Sequence, residues 1–319
     1  MPSFCRHNRF EDSCPICSKS KKTVAAPKRA TASAPTRPNK SKGPRPGRGP
    51  RISAGVTALH VRKMERAPDD GYDSELVPGL RSSEDATRLA EALSFSAARL
   101  QQLATAPTGL YAEVASEKDR DEAAWLYFLI AYISPLETDT PFSSIEAARV
   151  PWSTGELPKL DGIELGPRTA HDPAHGARTI EAYRTWAGKT GSQMEALAGD
   201  AGLSPQRRFD QLWGRLALPG FRRRSRFEFL LLASKLGLAD VEPWTLMYKD
   251  AGAMSTVGLA ARRVFGSGDA IELRKRSARL MDAVDLPMAA LDLALWNWAT
   301  DTPSPAPLAR GTSVLIPAR

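Results

Sequence analysis

Cysteine is scarce in this chain of 319 residues: there are three, all within the first seventeen positions. Everything beyond them has no disulfide framework, which agrees with a reducing cytoplasm. Long apolar runs are missing as well. The best, Trp125 to Ile133, is too short for a membrane span, which needs roughly eighteen or more residues. No apolar segment opens the sequence, so no signal peptide is expected. Excess positive charge is absent where a core must form. Residues 1–50 hold twelve Lys and Arg against two acidic residues, leaving 32 basic against 34 acidic in the remainder. The formal net charge of +8 therefore resides in the N-terminal tail. The body is not a generally cationic nucleic-acid binder, and any DNA contact it makes must use local patches. A hydrophobic content of 42% is enough for a sizeable core in one large domain or two.

The scarce residues are concentrated. Cys5, His7, Cys14 and Cys17 lie within thirteen positions, in the order Cys-x-His, then Cys-Pro-Ile-Cys. One turn presenting two thiolates, joined by a further thiolate and an imidazole, makes a closed tetrahedral set that suits structural zinc and leaves no open catalytic position. The plain alternative is an unstructured tail with incidental cysteines. Residues 1–18 are thus read as a zinc knuckle. Residues 19–51 are rich in Lys, Arg, Pro, Ala, Ser and Thr, and are expected to be a disordered linker. That linker suits an electrostatic tether for DNA or RNA, and equally a solubilising spacer.

The body, 52–302, reads as mainly α-helical, ahead of a Pro-rich tail over 303–319. A short strand is predicted over Ile52 to Val61, with turns at Asp69 to Tyr72 and Val77 to Gly79. Ser82 and Asp85 have capping-box spacing ahead of an apolar face at Ala86, Leu89, Ala90, Leu93, Ala97 and Leu100. A second helix starts near Asp119 to Asp121 and ends before Pro135. It is apolar all round, so it should be buried. A Pro- and Gly-rich connection over 136–172 follows, and Asp172-Pro173 opens a helix through Tyr183 and Trp186. His171 and His175 flank Pro173, so a cap or surface role is favoured for them over a metal site. Later helices are expected over Asp250 to Phe265, from Asp269 through Leu280, and from Pro287 to Ala299. At Gly266 to Asp269, Asp269 and Glu272 fit a capping box; alternatively Gly266 and Gly268 expose amides to phosphate beside Arg263.

The centre of the chain is Leu216 to Trp244. Leu218-Pro219-Gly220 predicts a tight reversal, because proline fixes φ and glycine accepts positive φ. A buried helix follows, with apolar residues from Phe227 to Leu236 on nearly every side, closed by Gly237. Arg222, Arg223, Arg224 and Arg226 crowd its beginning. Cations are mildly unfavourable at a helix N-terminus, so an anion is expected there.

Helix, Leu-Pro-Gly hairpin, basic residues, buried helix and then an acidic residue: this order resembles the helix-hairpin-helix DNA glycosylase superfamily. The resemblance implies a hairpin gripping a DNA phosphate and an acidic group facing a flipped-out nucleotide, with Asp240 and Glu242 as the candidates. Arg224 occupies the place of the lysine used by lyase-type members and cannot form a Schiff base.

A narrower resemblance rests on several stretches. These are Cys5 to Phe10 with Cys14 to Cys17, Trp125 to Glu137, Arg207-Arg208-Phe209 with Leu216 to Phe221, Arg263 to Asp269, and Ala290 to Trp298. Together they are similar to the alpha-glutamyl/putrescinyl thymine pyrophosphorylases. That resemblance implies DNA as partner and a thymine-derived base whose pyrophosphate is displaced by an amine such as glutamate or putrescine. Base excision, or DNA binding without chemistry, are the alternative expectations.

Overall fold

The computed structural model describes residues 67–250 and 253–300. The knuckle ligands Cys5, His7, Cys14 and Cys17, the 19–51 linker, the strand expected over Ile52 to Val61 and the 303–319 tail lie outside them. All described residues belong to one unit of the chain. It is built from helices: α1 Ser83–Thr105, α2 Leu110–Ser116, α3 Arg120–Ile133, α4 Ser143–Ala148, α5 Arg178–Gly188, α6 Gln193–Ala198, α7 Pro205–Arg215, α8 Arg223–Lys235, α9 Thr256–Phe265, α10 Ala270–Val284 and α11 Met288–Thr300. A two-residue antiparallel ladder, β1 Lys249–Asp250 with β2 Ala253–Met254, precedes α9. Among the described residues, no helix is long and apolar enough to cross a membrane.

Two apolar clusters organise these helices. The first surrounds α3 and α8. Every residue from Ala123 to Ile130 is buried, as a helix apolar on all sides requires. Phe128 stacks on Tyr183 of α5 with ring centroids 3.7 Å apart, and Tyr127 stacks on Phe229 of α8 at 5.0 Å. The second cluster joins α1, α9, α10 and α11. Helix α1 gives Ala86, Leu89 and Leu93 to the second cluster, and Leu100 and Leu103 to the first. Helix α11 does the same with its two faces: Ala290 and Leu293 on one, Leu291, Leu295 and Trp298 on the other.

Several helix starts differ from the sequence reading. Ser82 is the N-cap of α1, but its hydroxyl makes no cap hydrogen bond. The Asp70 carboxylate does that work, accepting from the Ser83 amide at 3.0 Å and from its hydroxyl, while Asp85 is buried. The helix expected from Pro173 is split, because Gly176 takes φ +56 after a single 3-10 turn, Pro173–His175, and α5 begins at Arg178. Helix α9 begins at Thr256, not near Asp250, since the ladder occupies the intervening residues. Helix α3 starts where expected, and the structure makes Asp119 its cap: the carboxylate accepts from the Asp121 and Glu122 amides at 3.0 and 3.2 Å.

The far end of α3 explains how the long connection is routed. Helix ends leave carbonyls without partners. The segment 166–170 supplies them: the Gly166 amide donates to Ile133 O at 3.2 Å, the Ala170 amide to Tyr132 O at 2.8 Å, and the Thr169 hydroxyl to Tyr132 O at 2.8 Å. Gly166 allows this close approach. A Cβ there would lie 2.3 Å from the Ser134 and Pro135 carbonyl oxygens. Gly166→Ala should therefore displace this segment and cost about 1–3 kcal/mol, the usual range for overpacking. Chemical denaturation would show it as a lower midpoint, and an unchanged midpoint would mean that the segment is not held as described.

Candidate nucleotide-phosphate site

The reversal between α7 and α8 has proline and glycine at its centre. The Phe221 amide donates to Leu218 O at 3.1 Å, and Gly220 has φ +77, the pattern of a type II turn. Glycine is required twice over, since a Cβ on Gly220 would also lie 2.3 Å from Thr179 Oγ1. The Thr179 hydroxyl donates to Pro219 O at 2.7 Å, fastening the hairpin to α5. Phe221 is buried beside Phe128 and Phe229. Gly237, φ +71, closes α8 as its composition suggested.

The four arginines at the start of α8 go to different places. Arg223 is buried, pairs with the Asp292 carboxylate of α11 and donates through Nε to Met247 O at 2.5 Å. Arg226 lies over the Trp213 ring at 3.8 Å and donates to Trp213 O at 3.0 Å. Arg222 is exposed, and Arg224 lies over the Trp296 ring at 4.3 Å.

Beneath Arg224 is the centre of the site. Glu228 of α8 meets Arg168 Nη1 at 2.8 Å, Arg99 at 3.7 Å and Arg224 at 3.9 Å. Arg168 also donates to Asn297 Oδ1 at 3.3 Å. Burial alone would push the Glu228 carboxyl up, but Arg168, Arg224 and Arg99 outweigh it and hold it at about 2. Burial lowers Arg168 and Arg224 against the pull of Glu228, Arg224 to about 10, so Arg224 remains charged at neutral pH. Burial also raises Asp292, with Arg223 opposing. Four guanidiniums thus face two carboxylates, a surplus of positive charge in a poorly solvated place. Arg168 Nε and Arg224 Nη2 are buried without a hydrogen-bond partner. Buried donors in a folded protein are nearly always paired, so these two stand out as unsatisfied positive donors beside the cleft.

Arg168 and Arg224 also line a cleft of about 570 Å³, together with Arg178, Arg222, Ser225, His171, Asp172, His175, Thr179 and the Pro219-Gly220 turn. It is walled by cations and by the uncapped first turn of α8, whose N-cap Arg222 offers no side-chain acceptor. Both features favour an anion. His175 pairs with Asp172 at 2.6 Å, and Asp172 accepts from the Ala174 amide, the expected cap. His171 is half-buried and meets the Tyr132 hydroxyl through Nδ1 at 2.7 Å.

Other residues singled out by sequence lie elsewhere. Asp240 is exposed and pairs with Arg208 at 2.5 Å, and Glu242 accepts from Gln206 at 2.8 Å. Both therefore lean on the first turns of α7, and neither is among the residues lining the cleft. Gly266, φ +65, ends α9. Asp269 caps α10, accepting from the Ile271 and Glu272 amides at 2.9 and 3.0 Å. Glu272 pairs with Arg276 and does not complete the box. Arg263 lines a separate cavity with Arg81 and Asp85, and Gly268 lines neither that cavity nor the cleft. Among the described residues, no group of three His, Cys, Asp or Glu side chains could hold a metal ion.

Residues 168–306 match the model of the alpha-glutamyl/putrescinyl thymine pyrophosphorylase family, clade 3. This part of the chain is similar to that family. No curated protein and no solved structure matches the chain. The matched span begins at Arg168 and takes in His171, the hairpin, Glu228 and Asp292. Arg99, the third cation on Glu228, comes from outside it. Sequence reasoning found the hairpin and its arginines but passed over Arg99, Arg168, Glu228 and Asp292. A signal was present for two of them: Glu228 between Phe227 and Phe229, and Asp292 between Leu291 and Leu293, are charges in apolar surroundings, which persist only when paired.

Proposed function

We propose that this protein is a DNA base hypermodification enzyme. It replaces the pyrophosphate of a hydroxymethyl-pyrophosphate-bearing thymine with an amine such as glutamate or putrescine. The observation that carries the reading is the cationic cleft beside Arg168 and Arg224, with its two unpartnered buried N–H groups. A departing pyrophosphate accumulates negative charge, and preorganised guanidinium donors in a low-dielectric place are what stabilises it. The α7–hairpin–α8 order supports a helix-hairpin-helix, DNA glycosylase-like arrangement, in which the Leu218-Pro219-Gly220 turn holds a DNA phosphate. A base in duplex DNA would be flipped out to reach the cleft. The N-terminal knuckle, with one zinc on Cys5, His7, Cys14 and Cys17, and the basic linker complete the proposal as accessory DNA-binding parts.

The test is incubation of the full chain with DNA carrying ordinary, damaged or hydroxymethyl-pyrophosphate-bearing pyrimidines, with and without amine. Pyrophosphate released only when the amine and the modified base are both present is the expected result. Abasic sites would replace this reading with base excision. Tight DNA binding with neither product would replace it with a non-catalytic module.

A further inference from the structure

We propose that the cavity between the start of α1, the turn over 77–80 and the end of α9 binds a free α-amino acid, whose ammonium pairs with Asp85 and whose carboxylate pairs with Arg263. The cavity holds about 210 Å³, and its walls include Asp69, Leu80, Arg81, Ser82, Asp85 and Arg263. It shares none of its lining residues with the cationic cleft, so the inference stands apart from the amine-for-pyrophosphate reading.

Asp85 carries the argument. It is 5% exposed, and its Oδ1 is buried without a hydrogen-bond partner. No ion pair joins it to another described residue. A carboxylate withdrawn from water is costly and persists in a folded protein when it is paired. The partner it calls for is a donor bearing positive charge, and the cavity is where such a group can enter. Arg263 is in the converse position. It is half-buried, its guanidinium lies over the Trp298 ring at 5.8 Å, and among the described residues no carboxylate pairs with it. One wall calls for a cation and the other for an anion, and a single small zwitterion supplies both.

The spacing suits charges carried on one carbon. Asp85 and Arg263 meet the same indole, since Trp298 Nε1 donates to Asp85 O at 3.0 Å and Arg263 lies over its ring. The other two charged side chains of the cavity are already engaged with each other, Arg81 with Asp69 at 3.6 Å, and Arg81 also meets Asp73 at 3.8 Å. Asp85 and Arg263 are therefore the pair left for a ligand. The wall beside them is held firmly: the Gly79 amide donates to Val264 O at 2.9 Å, and a Cβ on Gly79 would lie 2.0 Å from Arg263 O. Leu80 and Ala67 add an apolar side for the substituent on the α-carbon. The start of α1 favours the carboxylate, because the Ser82 hydroxyl makes no cap hydrogen bond and a helix N-terminus carries partial positive charge.

Thermal unfolding of the full chain with each of the common L-amino acids in turn is the test. At least one should raise the midpoint, and calorimetric titration with that amino acid should show one-to-one binding. Its N-acetyl and methyl ester derivatives each lack one of the two charges and should bind at least about tenfold more weakly. A long ω-amino acid such as aminocaproate, with its charges far apart, should be equally poor. Arg263→Gln should weaken binding by about 10–100-fold, the worth of one hydrogen bond between charged groups, with the midpoint of the free protein unchanged. Asp85→Asn separates ligand binding from a structural role. It should abolish the response while raising the midpoint of the free protein by about 2–4 °C, because an unpaired buried charge has been removed. A fall in that midpoint would mean that the carboxylate is satisfied within the chain, with Arg62, Lys63 and Arg66 the nearby cations in sequence, and would overturn the proposal. So would the absence of a shift with any amino acid, or equal binding of the derivatives. Binding that survives both substitutions would also overturn it, by placing the amino acid at another site. None of these measurements depends on pyrophosphate release, so each outcome leaves the proposed reaction to its own test.

Discussion

Glu228→Ala is expected to lower stability by about 3–5 kcal/mol, the usual cost of removing one partner from a buried ionic cluster. The carboxylate has Arg168, Arg99 and Arg224 within 2.8, 3.7 and 3.9 Å, and its side chain is 14% exposed. Without it, three guanidiniums repel one another where water cannot screen them well. Glu228→Gln keeps the shape and most of the contacts but not the charge, so it should be nearly as costly, and this separates electrostatics from packing. The pH dependence gives a second test. The folded-state value, about 2, lies below the ordinary 4.5, so the stabilisation is complete above about pH 4.5. It is lost as pH falls from there toward 2. A shift of this size corresponds to on the order of 3 kcal/mol. Urea denaturation at a series of pH values should show an acid-side loss in the wild type that is much reduced in Glu228→Gln. A loss under about 1 kcal/mol in both variants would mean that the cluster behaves as a solvated surface network.

The second large effect concerns chemistry. Arg168→Met and Arg224→Met should each lower the rate of pyrophosphate release by about 10²–10³-fold, the range seen when one donor to a developing anion is removed. Arg224→Lys should restore little, because a single ammonium cannot reproduce the fork of a guanidinium stacked on an aromatic ring. Since Arg168 and Arg224 both face Glu228, part of any loss could come through the fold. Inhibition by inorganic pyrophosphate, measured on protein shown to be folded by circular dichroism, isolates the anion contact. Its inhibition constant should rise at least tenfold. Unchanged inhibition in both variants would place the anion elsewhere, with exposed Arg222 and Arg178 the next residues to test.

Features fixed by neighbours in sequence were legible beforehand. The Pro219-Gly220 reversal, the Gly237 cap, and the start and all-round burial of α3 each follow from a few adjacent residues obeying local rules. The site was legible only in half, because its charges are assembled from far apart: Arg99 from α1, Arg168 from the long connection, Glu228 from α8 and Asp292 from α11. Nothing in a local pattern says that Arg168 will reach a glutamate sixty positions away. The same limit applies to His171. Beside Pro173 it reads as a cap residue, yet its Nδ1 meets the hydroxyl of Tyr132, 39 positions earlier. The arginine cluster shows the converse. Close in sequence, Arg222 to Arg226 were read as one patch, yet the helical turn sends their side chains to Asp292 and Trp296 of α11, to Trp213 of α7 and to the solvent.

The two apolar clusters have walls in common. Helix α1 lends its first half to one and its last turns to the other, and α11 is divided along its length between its two faces. Neither cluster can come apart while the other stays whole, because opening either one removes a wall from its neighbour. The cleft is framed by the Arg168 segment, the hairpin and α8, so it inherits the cohesion of both, and the ions at its floor act as a rivet through two plates.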